Sequence, residues 1–308
     1  MEVFTNIDNI NIEQSAICVG TFDGLHLGHK VVIDKTIAHA KDLGIKSLVF
    51  TFWPHPLEII HSNKKIFYLN TFQEKIDLFS NLGIDYLVLF PFDKDFSTKT
   101  SKEFIKDFLV DKLNMKFFVI GYDHQFGKER EGKYEKVINC AKELNFGIER
   151  IEQQSVNEEF VSSTKIRDLI KEGELELANS LLGYTYFTSG EVEKGMRIGS
   201  KIGFPTANIK IASNKIMPKA GVYCVRIEIK DEIFDGIANL GYKPTIQEYK
   251  DLSLEVHIFN FNNNLYSKNI KISFYKKIRD EIKFNNLELL KSQIKIDKEV
   301  GINYFKKH

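Results

Sequence analysis

Glycines and two histidines are concentrated in residues 20–29, between the first apolar run of the chain and the first long helical pattern. His26 and His29 are three positions apart, so a helix turn presents both imidazoles on one side. The glycines allow the backbone to approach a phosphate, and the N–H groups and dipole of a helix start favour negative charge. Two such rings can hold the charge that develops when an α-phosphate is attacked and pyrophosphate departs. This segment therefore predicts a nucleotide site, and the alternative is a pair of histidines that cap and solvate a helix start.

A second polar segment, residues 162–167, precedes a helical pattern with the sequence Ser-Ser-Thr-Lys-Ile-Arg. Ser163 or Thr164 is a natural N-cap, because a side-chain oxygen there accepts hydrogen bonds from the first N–H groups of a helix. Backbone donors, hydroxyls and the cations of Lys165 and Arg167 could therefore converge on phosphates. The alternative is a structural helix cap followed by basic residues.

Two loops follow strand patterns in the same half of the chain. Residues 51–56 end one strand pattern with two prolines, which restrict the loop at the ligand edge of a sheet. Residues 121–132 follow another strand pattern, and their glycines and mixed charges suit contact with a polar ligand. Phe126 in this second loop could stack on a flat ring.

The glycine-rich stretch at residues 190–208 is the most specific signal in the chain. Four glycines precede the sequence Pro-Thr-Ala-Asn, at a spacing that matches neither a Walker A loop nor a protein-kinase loop. The glycines supply flexible backbone over phosphates. The Thr206 hydroxyl and the Asn208 amide are hard oxygen donors suited to Mg²⁺ or to phosphate oxygens. An ordinary glycine-rich hairpin with a proline turn is the alternative.

An alternating strand pattern, residues 254–259, carries one carboxylate. Leu254, Val256 and Ile258 share one face of this pattern, and Glu255 and His257 share the other. A carboxylate held on a rigid strand near a metal-bound phosphate is a suitable general base for a substrate hydroxyl. The alternative is an exposed strand glutamate without a chemical role.

Short apolar strand patterns alternate with amphipathic helix patterns in the first half. The strand patterns are Ala16–Val19, Ser47–Phe52, Tyr86–Phe90 and Phe117–Ile120. The helix patterns are Val31–Leu43, Phe72–Leu82 and Ser101–Leu113. Together they predict an α/β domain with a parallel, doubly wound, Rossmann-like sheet. In such sheets ligands bind at the carboxyl ends of the strands.

The pattern changes at Gly183, after two helix patterns at residues 164–172 and 175–182. The strand patterns beyond it are Tyr186–Val192, Gly221–Ile229, Phe234–Leu240, Leu254–Phe261 and Ile270–Phe274. Strands at short spacing without helices between them predict a small antiparallel β-barrel or sandwich, which a terminal helix at residues 287–305 closes. We therefore expect one domain at residues 1–183 and a second at residues 184–308.

The composition indicates a globular protein without a strongly charged surface. The 308 residues are 43% hydrophobic and 12% aromatic, which is enough for two packed cores. Lys and Arg number 43 and Asp and Glu 42, so the net charge of +1 predicts no nucleic-acid partner. Three widely spaced cysteines favour reduced thiols over disulfides or zinc ligands. Because the sequence shows no leader pattern and no apolar run of ~18 residues, we expect a cytoplasmic protein with no membrane partner.

The His-x-Gly-His pattern at residues 26–29 resembles that of the nucleotidyltransferase superfamily. Residues 20–29 and residues 190–208 resemble the corresponding segments of the prokaryotic bifunctional riboflavin kinase/FAD synthetase family. The resemblance extends over about residues 10–305. It implies a C-terminal riboflavin kinase domain that phosphorylates riboflavin to FMN with ATP. It also implies an N-terminal FMN adenylyltransferase domain that converts FMN and ATP to FAD and pyrophosphate. Mg²⁺ is the implied cofactor, with ATP as co-substrate.

The resemblance also implies roles for individual positions. Catalytic roles are predicted for His26, His29, Arg167 and Glu255. ATP and phosphate contacts are predicted for Gly20, Phe22, Asp23, Gly24, Ser162, Ser163, Thr164, Lys165, Gly195, Gly199, Lys201, Gly203, Thr206 and Asn208. Metal contacts are predicted for Thr206 and Asn208, and flavin contacts for Asp123, Phe126 and Arg279.

Other classes of protein remain as alternatives. The sequence departs from the family pattern at His124, Asn260, Asn264 and Ser267, and a single-activity enzyme would follow if these changes impaired one site. A non-catalytic flavin- or nucleotide-binding regulator would lack the catalytic positions, and all of them are present. An RNA-linked nucleotidyltransferase would need a basic face, which the near-neutral charge does not offer. The sequence leaves the oligomeric state open between a monomer and weak self-association, because it does not separate apolar surface from core.

Overall fold

The chain folds into two compact units. The computed structural model describes residues 1–8, 10–60, 66–122, 134–156, 159–195, 198–230, 232–242 and 252–307. The units are Met1–Ser163 and Thr164–His308, called unit 1 and unit 2 below. Unit 2 takes in two helices that the sequence pattern places in the first domain. Asn179, on the second of them, donates to the Phe274 carbonyl and accepts from the Tyr186 N–H, at 3.0 and 2.7 Å. The domain boundary at 183/184 stays a prediction.

Unit 1 is built on a six-stranded parallel sheet. Its strands are β1 (Glu2–Phe4), β2 (Ser15–Gly20), β3 (Lys46–Phe52), β4 (Tyr86–Phe90), β5 (Met115–Gly121) and β6 (Gly147–Ile151). They lie in the order β1-β4-β3-β2-β5-β6, and every pairing is parallel. A short hairpin, β7 (Ser155–Val156) and β8 (Glu159–Phe160), follows the sheet. The predicted doubly wound sheet is confirmed, and its strand order changes direction between β2 and β5, where such sheets bind ligands.

The helices of unit 1 begin where the sequence offers caps. They are α1 (Leu27–Leu43), α2 (Pro56–Ile60), α3 (Phe72–Ser80), α4 (Lys94–Ser97), α5 (Ser101–Glu103) and α6 (Tyr134–Leu144). Thr71 and Thr100 form capping boxes at the starts of α3 and α5, each satisfying backbone N–H groups that have no partner within the helix. Gly44 ends α1 in a left-handed conformation, with φ at 67°.

The prediction of one continuous α-helix at residues 101–113 is wrong in its interior. After α5, Phe104–Val110 forms a π-helical segment. The N–H groups of Asp111 and Leu113 reach back five residues, to the carbonyls of Lys106 and Phe108. The wider turn is accompanied by burial of Phe104, Ile105 and Leu109 against the sheet, and a regular period of 3.6 does not anticipate it.

Both faces of the parallel sheet are buried. Ile17 and Phe50 belong to the cluster on one face, together with side chains of the π-helical segment and α6. Their neighbours Cys18 and Val49 belong to the cluster on the other face, against α1 and α3. This two-sided burial explains why the strands read as continuous apolar runs.

Unit 2 contains a closed six-stranded antiparallel barrel, so the barrel is confirmed over the sandwich. Its strands are β9 (Phe187–Glu193), β10 (Ala207–Ile209), β11 (Gly221–Ile229), β12 (Glu232–Tyr242), β13 (Leu252–Ile258) and β14 (Asn269–Arg279). Their order is β10-β13-β12-β11-β14-β9, and closure pairs β9 with β10. The helices are α7 (Ser163–Glu172), α8 (Leu175–Leu182), α9 (Ile198–Lys201) and α10 (Leu287–Phe305).

Helix α10 covers part of the outer face of the barrel. Val222, Ile237 and Phe259 form a buried cluster there, and Ile294 and Ile302 of α10 pack against it. Among the residues that the structure describes, no helix combines the length and the apolar character needed to cross a bilayer.

Candidate active sites

The turn between β2 and α1 has an unusual backbone. Phe22, Gly24 and Leu25 have φ values of 43°, 84° and 39°, in the left-handed region. Glycine adopts this region without strain, whereas Phe22 and Leu25 do so at a cost that the surrounding structure must offset. Both of these side chains are buried, at 3% and 5% exposure, so core packing holds the turn in place.

The two histidines of the turn lie face to face. Their ring centroids are 3.6 Å apart with an interplanar angle of 15°, as the i, i+3 spacing predicts. His26 is the N-cap of α1, and its Nδ1 accepts a hydrogen bond from the His29 N–H at 3.3 Å. Because Nδ1 accepts, the neutral ring carries its proton on Nε2, which makes Nε2–H a donor.

Gly28 leaves room for the ring of His26. A Cβ at this position would lie 3.3 Å from both Cε1 and Nδ1 of His26, closer than side chains normally approach. The glycine of the His-x-Gly-His pattern therefore leaves room for the stacked pair. The sequence argument attributes the glycines of this segment to phosphate approach, and the structure adds this steric reason.

Asp23 and Ser163 fix the turn to the rest of unit 1. The Asp23 carboxylate accepts from the backbone N–H of Leu69 at 3.0 Å and of Asn70 at 3.4 Å. The Ser163 hydroxyl donates to the carbonyl of Asp23 at 2.8 Å. The start of the 162–167 segment thus lies against the histidine turn. A direct contact of Asp23 with phosphate stays a prediction, because the observed partners of its carboxylate are backbone amides.

The prediction of an N-cap at Ser163 or Thr164 is wrong by one residue. Helix α7 begins at Ser163, so the position before it is Ser162. The hydroxyl of Ser163 donates a hydrogen bond to the Asp23 carbonyl. Lys165 and Arg167 lie further along the same helix in unit 2, and their phosphate and catalytic roles stay predictions.

Two other predicted phosphate contacts are packing residues in this structure. Phe22 is buried, with its ring edge-on to His29 and Phe79 at 5.1 and 5.9 Å. Gly20 ends β2, and a Cβ there would lie 3.0 Å from the ring of Phe22. Both residues shape the histidine turn, and ATP contacts at either position stay predictions.

The second loop at the ligand edge is only partly described. Strand β5 ends at Gly121 and pairs directly with β2, so Gly121 and the histidine turn lie at the same edge of the sheet. Asp123 and Phe126, the predicted flavin contacts, and His124 lie outside the described residues.

In unit 2, three polar residues lie in one row across neighbouring strands. Asn208 on β10 is paired with Glu255 on β13, and Glu255 is paired with Asn239 on β12. Directly paired residues of antiparallel strands project from the same face of a sheet. The hydroxyl of Thr206 donates to Oε2 of Glu255 at 3.4 Å. The predicted Thr206, Asn208 and Glu255 are therefore brought together, and Asn239 joins them.

The glycines of the 190–208 stretch pack against this row. A Cβ at Gly195 would lie 2.1 Å from the side-chain nitrogen of Asn208. A Cβ at Gly199 would lie 2.2 Å from the Phe204 carbonyl oxygen and 3.3 Å from Oγ1 of Thr206. A larger residue at Gly195 would displace the Asn208 side chain, and one at Gly199 would displace the Phe204 carbonyl. Lys201 ends α9, and Gly203 follows it with φ at 87°.

Two family descriptions match the chain, FAD synthetase over residues 8–165 and riboflavin kinase over residues 182–305. The bifunctional riboflavin kinase/FMN adenylyltransferase of Bacillus subtilis (strain 168) is 37% identical, over 95% of this chain and 93% of the relative. The chain belongs to the bifunctional riboflavin kinase/FMN adenylyltransferase family. Unit 1 therefore contains a FAD synthetase domain and unit 2 a riboflavin kinase domain.

Other similar proteins cover the same length. The Escherichia coli (strain K12) protein with the same description is 33% identical, over 97% of this chain and 96% of that one. Among solved structures, a macrolide-efflux protein from Streptococcus pneumoniae has a TM-score of 0.88 and 27% identity, covering 98% of each chain. Each of these alignments extends over nearly the full length of both chains.

The riboflavin kinase domain offers oxygen donors to a divalent ion. Asn208 and Glu255 of the row supply an amide and a carboxylate oxygen, and Thr206, which donates to Glu255, supplies a hydroxyl oxygen. Hard cations such as Mg²⁺ bind oxygen ligands of these types, together with phosphate oxygens. The residues present therefore fit a metal–nucleotide complex.

Arg279, predicted as a flavin contact, forms an ion pair in this structure. Its Nε and Nη2 bind the two carboxylate oxygens of Asp297 on α10, at 2.9 and 2.6 Å. Asp297 is 2% exposed and also accepts from Gln293 at 2.9 Å. The pair anchors α10 to the end of β14. A flavin contact of Arg279 stays a prediction.

Sequence reasoning did not single out His257, which lies beside the row. Its Nδ1 lies 2.9 Å from the Pro205 carbonyl, directly before Thr206, and donates to it. The Phe204 and Phe259 rings pack edge-on to the imidazole. Its Nε2 is buried and finds no hydrogen-bond partner within the described part of the chain. The signal was present in the alternation, which places His257 on the same face as Glu255.

The departures from the family pattern near the barrel include two left-handed residues. Asn260 and Ser267 have φ values of 54° and 60°. Asparagine tolerates this conformation better than most residues. The family resemblance leads one to expect glycine at Ser267. Glycine adopts a positive φ without strain, which is the physical reason for that expectation.

Proposed function

We propose that this chain converts riboflavin to FAD in two steps, one in each unit. Riboflavin kinase activity in unit 2 transfers the γ-phosphoryl group of ATP to riboflavin, giving FMN and ADP. FMN adenylyltransferase activity in unit 1 transfers the adenylyl group of a second ATP to FMN, giving FAD and pyrophosphate. The observations that support the proposal are the stacked pair of His26 and His29 in unit 1 and the contact of Thr206 with Glu255, which is paired with Asn208, in unit 2.

In the kinase step, we assign the base to Glu255. Its carboxylate takes the proton of the riboflavin 5′-hydroxyl as the hydroxyl oxygen attacks the γ-phosphorus. Asn208 and Thr206 orient the nucleotide beside that carboxylate. Mg²⁺ is the ion we propose here, and when bound it neutralises phosphate charge. The row of oxygen donors on β10 and β13 supports this assignment.

In the adenylyl-transfer step, we assign charge stabilisation to His26 and His29. A phosphate oxygen of FMN attacks the α-phosphorus of ATP, and negative charge grows on the departing pyrophosphate. Nε2–H of His26 is a donor held by its own cap hydrogen bond, and the start of α1 adds its positive dipole. The position of the pair beside the β2–β5 switch point supports this role.

We place both reactions in the cytoplasm and expect neither a nucleic-acid nor a membrane partner. All three cysteines, Cys18, Cys140 and Cys224, are buried free thiols, as expected in a reducing compartment. The net charge of +1 supports small-molecule partners, which are riboflavin, FMN, FAD, ATP and pyrophosphate.

Chromatography of reaction mixtures tests the proposal. The purified chain is incubated with ATP and Mg²⁺ plus either riboflavin or FMN, and riboflavin, FMN and FAD are quantified over time. We expect FAD from both starting compounds, with FMN as an intermediate when riboflavin is supplied. If FMN is the end product, the chain has kinase activity only. If FAD forms only from supplied FMN, the chain has adenylyltransferase activity only. Absence of both products would contradict the proposal.

A further inference from the structure

Lys75 is a buried lysine in unit 1 that none of the sequence motifs includes. It lies on α3 with 4% of its surface exposed. Its Nζ donates to the carbonyl of Thr21 at 2.5 Å and to Oγ1 of Thr51 at 3.0 Å. Burial of an ammonium group is costly unless hydrogen bonds and charges compensate it, so a lysine retained in this position calls for a reason.

The partners of Lys75 lie where the histidine turn leaves the sheet. Thr21 is the first residue after β2, and Thr51 is paired with Gly20 near the end of β3. Oγ1 of Thr51 also donates to the Thr21 carbonyl, at 3.2 Å. One ammonium group therefore connects α3 to both strands at the first residue of the turn that carries His26.

Asp23 is the acidic group that faces Lys75. Burial lowers the pKa of Lys75 to about 8, and the Asp23 charge acts against this shift. The Asp23 carboxylate itself binds the backbone of residues 69–70, directly before α3. The turn is therefore held at two points, at Thr21 by Lys75 and at Asp23 by the 69–70 backbone. Both contacts come from α3 and the residues directly before it.

We propose that Lys75 is a positioning residue for adenylyl transfer, acting by holding the Thr21 carbonyl and so fixing the turn that presents His26 and His29. The inference rests on the proposed adenylyltransferase function of unit 1. A methionine would fill nearly the same space but would remove the Nζ donor to the Thr21 carbonyl, at the residue where the turn begins. Because small displacements of reacting groups lower catalytic rates steeply, loss of this hydrogen bond should affect adenylylation through the placement of His26 and His29.

The test replaces Lys75 in the full chain and measures both activities of the same molecules. We expect Lys75→Met to lower kcat for FMN adenylylation at least about 10-fold, with less than about a threefold change in KM for FMN. Riboflavin phosphorylation by the same preparation stays at the wild-type rate. Lys46→Met is the matched control, because Lys46 is an exposed lysine on β3 that pairs with Asp85, and we expect it to change neither activity.

Thr51→Val provides a second route if Lys75→Met fails to fold. It removes one acceptor of Nζ with little change in volume, and we expect a smaller loss in the same direction, again confined to adenylylation. Adenylylation that stays within twofold of wild type in a folded Lys75→Met chain would overturn the inference, as would an equal loss in both activities. If the wild-type chain makes no FAD from FMN, the proposed function itself fails and the inference falls with it.

Discussion

At the residue scale, glycines leave the space that polar side chains of the candidate sites occupy. His26 and His29 stack at 3.6 Å, and Gly28 leaves the space beside the His26 ring. In the kinase domain, Gly199 likewise leaves space beside the hydroxyl of Thr206. In both units, a glycine of the sequence motif thus sits against a polar side chain that its Cβ would push aside. Such motif positions are explained by contact with the side chains beside them as well as by contact with a ligand.

Substitution of Gly28 should separate stability from activity. We expect Gly28→Ala to lower kcat for FMN adenylylation about 10-fold, because the new Cβ displaces the His26 ring by a few tenths of an ångström. The same change favours helix α1 by about 0.5–1 kcal/mol, since alanine loses less entropy than glycine on entering a helix. Steady-state kinetics and urea unfolding measure the two effects. Adenylylation at the wild-type rate would show that the histidine stack tolerates this displacement.

At the element scale, α10 is attached to the barrel by a buried ion pair beside an apolar cluster. The Arg279–Asp297 pair lies next to Val222 and Ile237, which α10 covers. A buried pair adds little over apolar packing, but it is costly to break, because the remaining charge loses its partner. Its main contribution is therefore to define where α10 binds on the barrel.

Loss of one charge in this pair should destabilise unit 2. We expect Asp297→Asn to lower the free energy of unfolding by about 3 kcal/mol, because Arg279, whose side chain is only 18% exposed, loses its carboxylate partner. Urea unfolding monitored by loss of riboflavin kinase activity measures the change. Asp280→Asn is the matched control, since its ion pair with Lys277 is exposed and should contribute little. Equal midpoints for the two variants would contradict the proposed anchoring of α10.

His257 should make the barrel sensitive to mild acid. Burial lowers the pKa of His257 below its ordinary value of 6.5, and the Lys298 charge acts in the same direction, whereas the Pro205 hydrogen bond opposes the shift. The unfolded chain then binds a proton that the folded chain does not, so stability falls as the pH drops below about 6.5. We expect wild type to lose more stability between about pH 7.5 and 5.5 than His257→Gln, which keeps a donor for Pro205. Parallel losses in urea unfolding would exclude this contribution.

At the scale of the whole molecule, the two activities are linked by FMN, the product of one step and the substrate of the other. Glu255, the base assigned to the kinase step, lies in unit 2, and His26 and His29, assigned to adenylyl transfer, lie in unit 1. Variants of these residues therefore have an internal control, because damage to one site leaves the other assay available. Global unfolding, in contrast, would remove both activities.

Glu255→Gln should make FAD synthesis dependent on supplied FMN. We expect the variant to phosphorylate riboflavin at least about 100-fold more slowly, because the amide does not accept the 5′-hydroxyl proton. FAD formation from FMN should stay at the wild-type rate. Glu228→Gln serves as the control, since Glu228 pairs with Lys271 on the barrel surface. A fall in both assays would indicate a folding defect, and an unchanged kinase rate would exclude Glu255 as the base.

Much of the fold and of the site follows from local sequence patterns. The apolar runs predict β2, β3, β4 and β5, and the i, i+3 spacing of His26 and His29 predicts their shared side. The alternation of residues 254–259 predicts the face that Glu255 occupies. These features depend on residues a few positions apart, whose geometry is fixed by the period of a helix or a strand.

The tertiary structure decided the contacts between residues distant in sequence. Lys75 meets Thr21 across 54 positions, Ser163 meets Asp23 across 140, and Asp297 meets Arg279 across 18. Local periodicity carries no information about such partners, because they are set by the order of the strands and by which helix covers which face. The sequence alone therefore identified the family and most catalytic candidates. Only the tertiary structure showed which groups hold those candidates in place. A buried charged group meets its partner only when elements that are distant in sequence pack together.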